Sequence, residues 1–220
     1  MGRPESRLGI ADGVMTMTAT RPQINRALTV LALLMAAASA QSRPTALQLD
    51  PAKTAVKFTL DAALHTVHGT FQVKPRVLGF DPASGLLSGE ILVDAKSGET
   101  GNGMRDRKMH QDVLESDRYP EISFRPDRVE GAVANPGKSP VKVHGMFRIH
   151  GVDREITVPA EVEMSSDSWT ATVHFTVPYA KWGMKNPSTF FLRVSDSVEI
   201  DLVAAGSVIQ HSAAARDAAQ

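Results

Sequence analysis

Hydrophobic and polar residues alternate with a period of two through most of the chain. In "VKVHGMFRI", Val141, Val143, Phe147 and Ile149 share one side while Lys142, His144, Met146 and Arg148 share the other, as in a strand with one buried face. "ITVPAEVEM" repeats the design, with Ile156, Val158, Ala160, Val162 and Met164 opposed by Glu161 and Glu163. "WTATVHFTV" sets Trp169, Ala171, Val173, Phe175 and Val177 against Thr170, Thr172, His174 and Thr176, and "VEIDLVA" sets Val198, Ile200 and Leu202 against Glu199 and Asp201. Earlier windows are less regular but compatible: "AVKFTL" with Val56, Phe58 and Leu60, "HTVHGTFQV" with Phe71, "GEILVDA", and "EISFRP" with Ile122 and Phe124. Turn signals at Asp81-Pro82, Ser84-Gly85, Asn135-Pro136-Gly137 and His150-Gly151 separate these windows at hairpin spacing. Strands with one apolar face must bury it against one another, and a sheet that curls shut also removes its exposed edges. The pattern predicts an all-β, antiparallel, closed or nearly closed barrel, with a two-sheet sandwich as the alternative.

One stretch breaks the period. From Gly101 to Leu114, Met104, Lys108, Gln111 and the Val113-Leu114 pair recur at near-helical spacing, and Tyr119-Pro120 ends the excursion. This predicts a short helix or helical lid across one end of the barrel, followed by a turn at Asp117. A second irregular stretch, "YAKWGMKNPSTFFLRVSD", carries Trp182, Phe190 and Phe191.

Composition narrows the function classes. The 220 residues are 42% hydrophobic, enough for one globular domain with a real core. Lys plus Arg and Asp plus Glu balance at 24 each, so no basic excess points to nucleic acid. The absence of cysteine excludes disulfides, thiolate metal sites and an acylated N-terminal cysteine. Arg21 and Arg26 precede "ALTVLALLMAAASA", which closes on Ala38-Ser39-Ala40. This is the layout of a secretory signal peptide over residues 1–40, with Met15 or Met17 as the better start. The apolar run is too short to span a bilayer comfortably. A barrel domain over 45–206, a loose tail over 207–220, a periplasmic or secreted location and no membrane span after cleavage are expected. The oligomeric state stays open, a homodimer included.

The segment "ETGNGMRDRKMHQDVLESDRYPEISF" is the most charged in the chain. Asp106, His110, Asp112, Glu115 and Asp117 have the residue types of a catalytic or metal site. Their spacing does not suit one, because His110 and Asp112 diverge by about 200° on a helix. Arg105, Arg107 and Lys108 would also compete for the carboxylates. Arg105 and Asp106 are expected to fix the lid through ion pairs and backbone hydrogen bonds. His65 and His68 lie three apart on a strand and face opposite ways, and His144 and His150 share a face only if their strand stays regular. No metal, cofactor or catalytic residue is expected. An enzyme using His65, His68, His110 or His144 with nearby carboxylates is the alternative from another class, and a solid-core interaction module is a third.

"TGNGMRDRKMHQDVLESDRYPEISF" resembles the signature of the YceI-like family, where Thr-Gly-Asn and an Arg-Asp pair precede Asp, Tyr-Pro and Ile-x-Phe. "GMFRIHGVDREITVPAEV" is similar to that family's paired strands around a His-Gly-Val turn, and "LDPAKTAVKFTL" and "VSDSVEIDLVA" extend the likeness over roughly residues 47–205. The resemblance implies an extended eight-stranded antiparallel barrel of lipocalin-like shape, exported and without chemistry, with a polyisoprenoid lipid or quinone in the lumen. Phe58, Phe71, Phe124, Phe147 and Phe175 are then the candidate lumen residues. Met104, Met109, Trp182, Phe190 and Phe191 are candidates for an adaptable mouth, or else an ordinary plug of the barrel end.

Overall fold

The computed structural model describes residues 45–189 and 193–209. The expected signal peptide, Phe190, Phe191 and the chain beyond 209 lie outside the described residues. Eleven strands appear among the described residues: β1 (Thr45–Leu49), β2 (Ala55–Leu60), β3 (Val67–Lys74), β4 (Val77–Asp81), β5 (Leu86–Ser88), β6 (Ile91–Glu99), β7 (Glu121–Glu130), β8 (Gly137–Ile149), β9 (Val152–Met164), β10 (Ser168–Val177) and β11 (Val198–Ile209). All pair antiparallel in one sheet.

The register reduces eleven segments to eight staves. β1 and β2 follow one another along β11, with Leu49 opposite Gly206 and Ala55 opposite Val203. β4 and β3 continue that order against β1 and β2. β5 and β6 pair with β4 and β3, and both meet β7. From β7 onward each strand is continuous and pairs with the next, and β11 returns to β1 and β2. The sheet therefore closes as an eight-stranded up-and-down barrel, not a sandwich. Every predicted strand window lies on a separate stave.

Local chemistry explains the three breaks. Pro51 follows the first stave's exit from the ladder, where Asp50 Oδ1 accepts from Ala52 N at 2.9 Å. Thr54 then stands in for the lost backbone pairing, its hydroxyl donating to Asp50 O at 2.8 Å and accepting from Ala205 N at 3.2 Å. Pro75 lacks the N–H that a ladder requires, so β3 ends before it. Gly89, at φ +98°, separates β5 from β6 in a conformation closed to other residues.

The interior face carries the residues that the alternation predicts, including Phe58, Phe147, Val158, Ala160, Trp169, Val173 and Ala204, all buried. Trp169, Met164, Phe80 and Leu47 pack together at the end bearing the 82–85, 131–136 and 165–167 turns and close it. Ser207, Val208 and Ile209, assigned to the tail by sequence, belong to β11 and pair with β1 or β10.

The other end carries the irregular segments. Helix α1 (Gly103–Lys108) runs directly into one π-helical stretch, Met109–Val113. Asn102 caps α1, its side chain accepting from Met104 N at 3.1 Å and Arg105 N at 3.2 Å. The predicted lid thus exists, with a widened last turn that period counting could not show. His110 anchors it, bonding Gly98 O at 2.9 Å and Ser116 Oγ at 3.1 Å. The chain leaving the lid is tied to the β8–β9 hairpin, a two-residue loop with His150 at φ +51° and Gly151 at φ +75°. Such paired positive angles match the strand twist. The Tyr119 ring meets His150 at a tilt of 52° with centroids 4.4 Å apart and lies across Gly151, and Glu115 approaches His150 at 3.3 Å.

Candidate functional site

The barrel is hollow. A cavity of about 610 Å³ runs from Trp169 and Met164 at the closed end to Met104 and Lys108 at the lid, within the size range of small-molecule sites. Its wall is formed almost wholly by apolar side chains. Alternate positions of every stave contribute: Val56 and Phe58 from β2, Ile156 to Met164 from β9, Trp169 to Val177 from β10, Val198 to Ala204 from β11. Ala171 and Ile200 are only half-buried despite facing inward, because their surfaces look onto the void.

Of the predicted lumen and mouth residues, Phe58, Phe71, Phe124, Phe147, Phe175, Met104 and Met109 line the cavity. Phe58 contacts Phe71 at 5.3 Å, and Phe147 meets Phe175 edge-on at 6.0 Å, the offset geometries that aromatic quadrupoles favour. Met109 rests on the bare backbone of Gly98 beside Phe71, where a Cβ would leave it no room. Met104 is 79% exposed at the rim.

Trp182 does not line the cavity. It packs on the back of Phe147 at 6.0 Å and is held there by Arg154, whose guanidinium lies 4.9 Å from the indole ring and donates to Trp182 O at 2.8 Å. The indole is a buttress for the mouth wall. Tyr179, also near the mouth, donates to Ser195 O at 2.6 Å, and burial beside Asp196 pushes its pKa up to about 12.

Arg105 and Asp106 fix the lid through a shared partner, Thr100. Arg105 donates to Thr100 Oγ1 at 2.7 Å and to Thr100 O at 3.0 Å. Asp106 accepts from Thr100 N at 2.9 Å and from the Thr100 hydroxyl. The expected ion pairing is replaced by this clamp, which joins the end of β6 to α1. Asp117 sits in the turn and pairs with Lys96 at 2.7 Å, which holds its carboxyl below the usual range.

The histidines do not converge. His65 is at the rim, His68 bonds Thr59 on the outer wall at 3.1 Å, and His110 lies under the lid. His144 is on the outer wall, between Asp127 and Glu155 at 2.7 Å each, with its side chain only 8% exposed. The hydrogen bond to Asp127, with help from Glu155, raises its pKa against the opposing effect of burial. Its two carboxylates bind opposite ring nitrogens, so they brace β7, β8 and β9 and do not form a chelating set. Among the described residues no group of three His, Asp or Glu side chains is placed to hold a metal. Nor is any helix of the described residues long and apolar enough to cross a membrane.

Some site residues carried no signal in the sequence: Leu47, Leu78, Phe80 and Leu87 come from the short strands β1, β4 and β5. Thr100, Asn102, Arg105 and Lys108 supply polar groups at the mouth; the sequence marked them as part of the lid segment and its Thr-Gly-Asn motif, with Arg105 as a lid-fixing residue, but not as lining of the opening.

A closed eight-stranded barrel with an open, apolar lumen is the architecture of a lipocalin-shaped container. Comparison with known proteins places it more narrowly: the YceI-like domain matches residues 47–205, and the chain belongs to that family. Solved structures agree in fold. Burkholderia cenocepacia BcnA superposes with a TM-score of 0.60 at 21% identity, covering 72% of this chain and 99% of its own. A polyisoprenoid binding domain from Saccharophagus degradans, implicated in plant cell wall breakdown, gives 0.60 at 16%, covering 74% and 98%. The Campylobacter jejuni YCEI protein gives 0.54 at 19%, covering 67% and 88%. No curated protein matches the chain.

Proposed function

We propose that this protein is an exported, non-catalytic binding protein that holds an apolar isoprenoid chain, of a polyprenol or a quinone-like lipid, inside the barrel. The observation that carries this reading is the apolar cavity of about 610 Å³, open at the lid end. Counting about 30 Å³ per water-sized group, it accepts roughly 20 such groups or more, the carbon count of about four five-carbon units. Each CH₂ equivalent moved from water into such a lumen contributes about 0.8 kcal/mol, so a chain of this length overcomes the cost of immobilisation. The hollow also favours a container over a solid-core interaction module. That the Saccharophagus degradans relative is a polyisoprenoid binding domain supports the same ligand class.

The test is extraction of the purified protein with organic solvent and mass spectrometry of the extract, together with uptake of added polyprenols and quinones by the delipidated protein. Recovery of a stoichiometric isoprenoid, or saturable uptake, is the expected result. Empty protein that takes up neither overturns the reading. Export is tested by fractionating the native host: the processed protein is expected outside the cytoplasm, with its N-terminus near Gln41.

A further inference from the structure

Resting on the carrier reading, we infer that the bound molecule is an anionic amphiphile, its apolar chain in the lumen and a charged oxygen head at the mouth held by Arg105 and Lys108. The argument begins with what lines the cavity. Apart from His65 at the rim and Tyr179, whose phenol burial keeps neutral, the ionisable side chains in the wall are these two, both cationic, and no carboxylate of the described residues lines it. An uncharged chain gives no reason for that sign.

The two cations lie on one side of α1. Residues 105 and 108 are three apart, so they share a face, and Met104 and Met109 complete it. Arg107, between them, is exposed and lines nothing. The helix therefore turns thioethers and positive charge toward the opening together.

Both charges are also available. Arg105 spends Nε and Nη2 on Thr100, which fixes the guanidinium while leaving Nη1 without an acceptor among the described residues. Lys108 Nζ has a long contact of 3.5 Å with Pro187 O. Neither forms an ion pair with a carboxylate of the described residues; the nearby Asp106 oxygen Oδ1 is engaged by Thr100, and Asp112 pairs with Lys185 at 3.5 Å. A guanidinium and an ammonium at the edge of a low-dielectric cavity attract an anion and bond its oxygens. A phosphate monoester and a carboxylate share that chemistry.

The experiment measures binding of four probes to the delipidated protein: geranylgeranyl monophosphate, geranylgeraniol, a long-chain fatty acid and its methyl ester. Two charge-assisted contacts at a half-exposed rim predict that the phosphate binds roughly tenfold tighter than the alcohol at low salt. That ratio is expected to fall toward one as salt screens the charges. Arg105→Gln with Lys108→Gln is expected to bring the ratio to about one, and Lys138→Gln, at the closed end, to leave it as it was. Lys108→Gln alone, which spares the Thr100 clamp, lowers the ratio and guards against a lid that fails to form. A fatty acid that outbinds its ester identifies a carboxylate head as acceptable; one that does not restricts the site to phosphate. Equal binding of phosphate and alcohol, or a preference that survives the double substitution, overturns the inference and leaves the carrier reading intact. Binding of none of the probes defeats both.

Discussion

Ala171→Phe tests the lumen directly. The methyl of Ala171 faces the void from the middle of β10, and the substitution adds six carbons to a space that holds roughly 20 water-sized groups. A ligand chain must give up the volume the ring takes. At about 0.3 kcal/mol per atom, the figure for drug-sized ligands, six displaced groups cost about 2 kcal/mol. At about 0.8 kcal/mol per CH₂, the limit for full transfer from water, they cost about 5 kcal/mol. Affinity is therefore expected to fall by roughly 30-fold at the least and by several thousand-fold at most. The assay is titration of the delipidated protein with a 20-carbon polyprenol, followed by tryptophan fluorescence or calorimetry. Thr172→Phe, one residue on and facing outward, adds similar bulk to the outer wall and is expected to bind like the parent. The Ala171→Phe barrel is expected to melt no lower than the parent, because the ring fills space that no other side chain occupies. Unchanged binding in a folded Ala171→Phe protein would refute the lumen as the site.

Two further outcomes follow from particular contacts. His144, whose pKa is raised by Asp127, stabilises the fold fully below the unfolded value near 6.5, and that contribution is lost as pH rises through the higher folded value. The melting temperature of the parent is thus expected to exceed that of His144→Gln most clearly below pH 6.5, with the gap narrowing at alkaline pH; a gap that widens with pH contradicts this. Gly151→Ala places a Cβ at φ +75° and 2.5 Å from the Tyr119 ring, and is expected to cost about 1–3 kcal/mol in denaturant unfolding. A neutral effect would show that Tyr119 is free to move.

The eight staves were legible because alternation fixes which face of a strand is buried, and the bulges at Thr70/Gln72 and Pro126/Arg128 interrupt it only locally. The inward series from Ile156 to Met164 and from Trp169 to Val177 both stand where period two puts them. β1, β4 and β5 were missed for a physical reason: segments of three to five residues between Pro51, Pro75 and Gly89 are too short to display a period. The hollow itself was not legible, since its volume depends on side chains from all eight staves meeting across the axis. Trp182 was misplaced because an irregular segment has no period to give it a direction; Arg154, at an inward register position on β9, decides where the indole lies. Period two puts His144 on the outward face, where it stands. Its burial comes from Asp127, 17 residues away and brought alongside by the bulge at Pro126 and Arg128.

The seam between β11 and the β1–β2 stave is where the two extremities of the described chain meet, Ala46 lying opposite Ile209. The connectivity of the wall is consequently circular in all but one covalent link. Joining those extremities by a short linker and cutting at the 165–167 turn would redraw the order of the gene without altering any hydrogen-bonded neighbour. The ring, rather than the direction in which it is spelled, is what the sequence encodes.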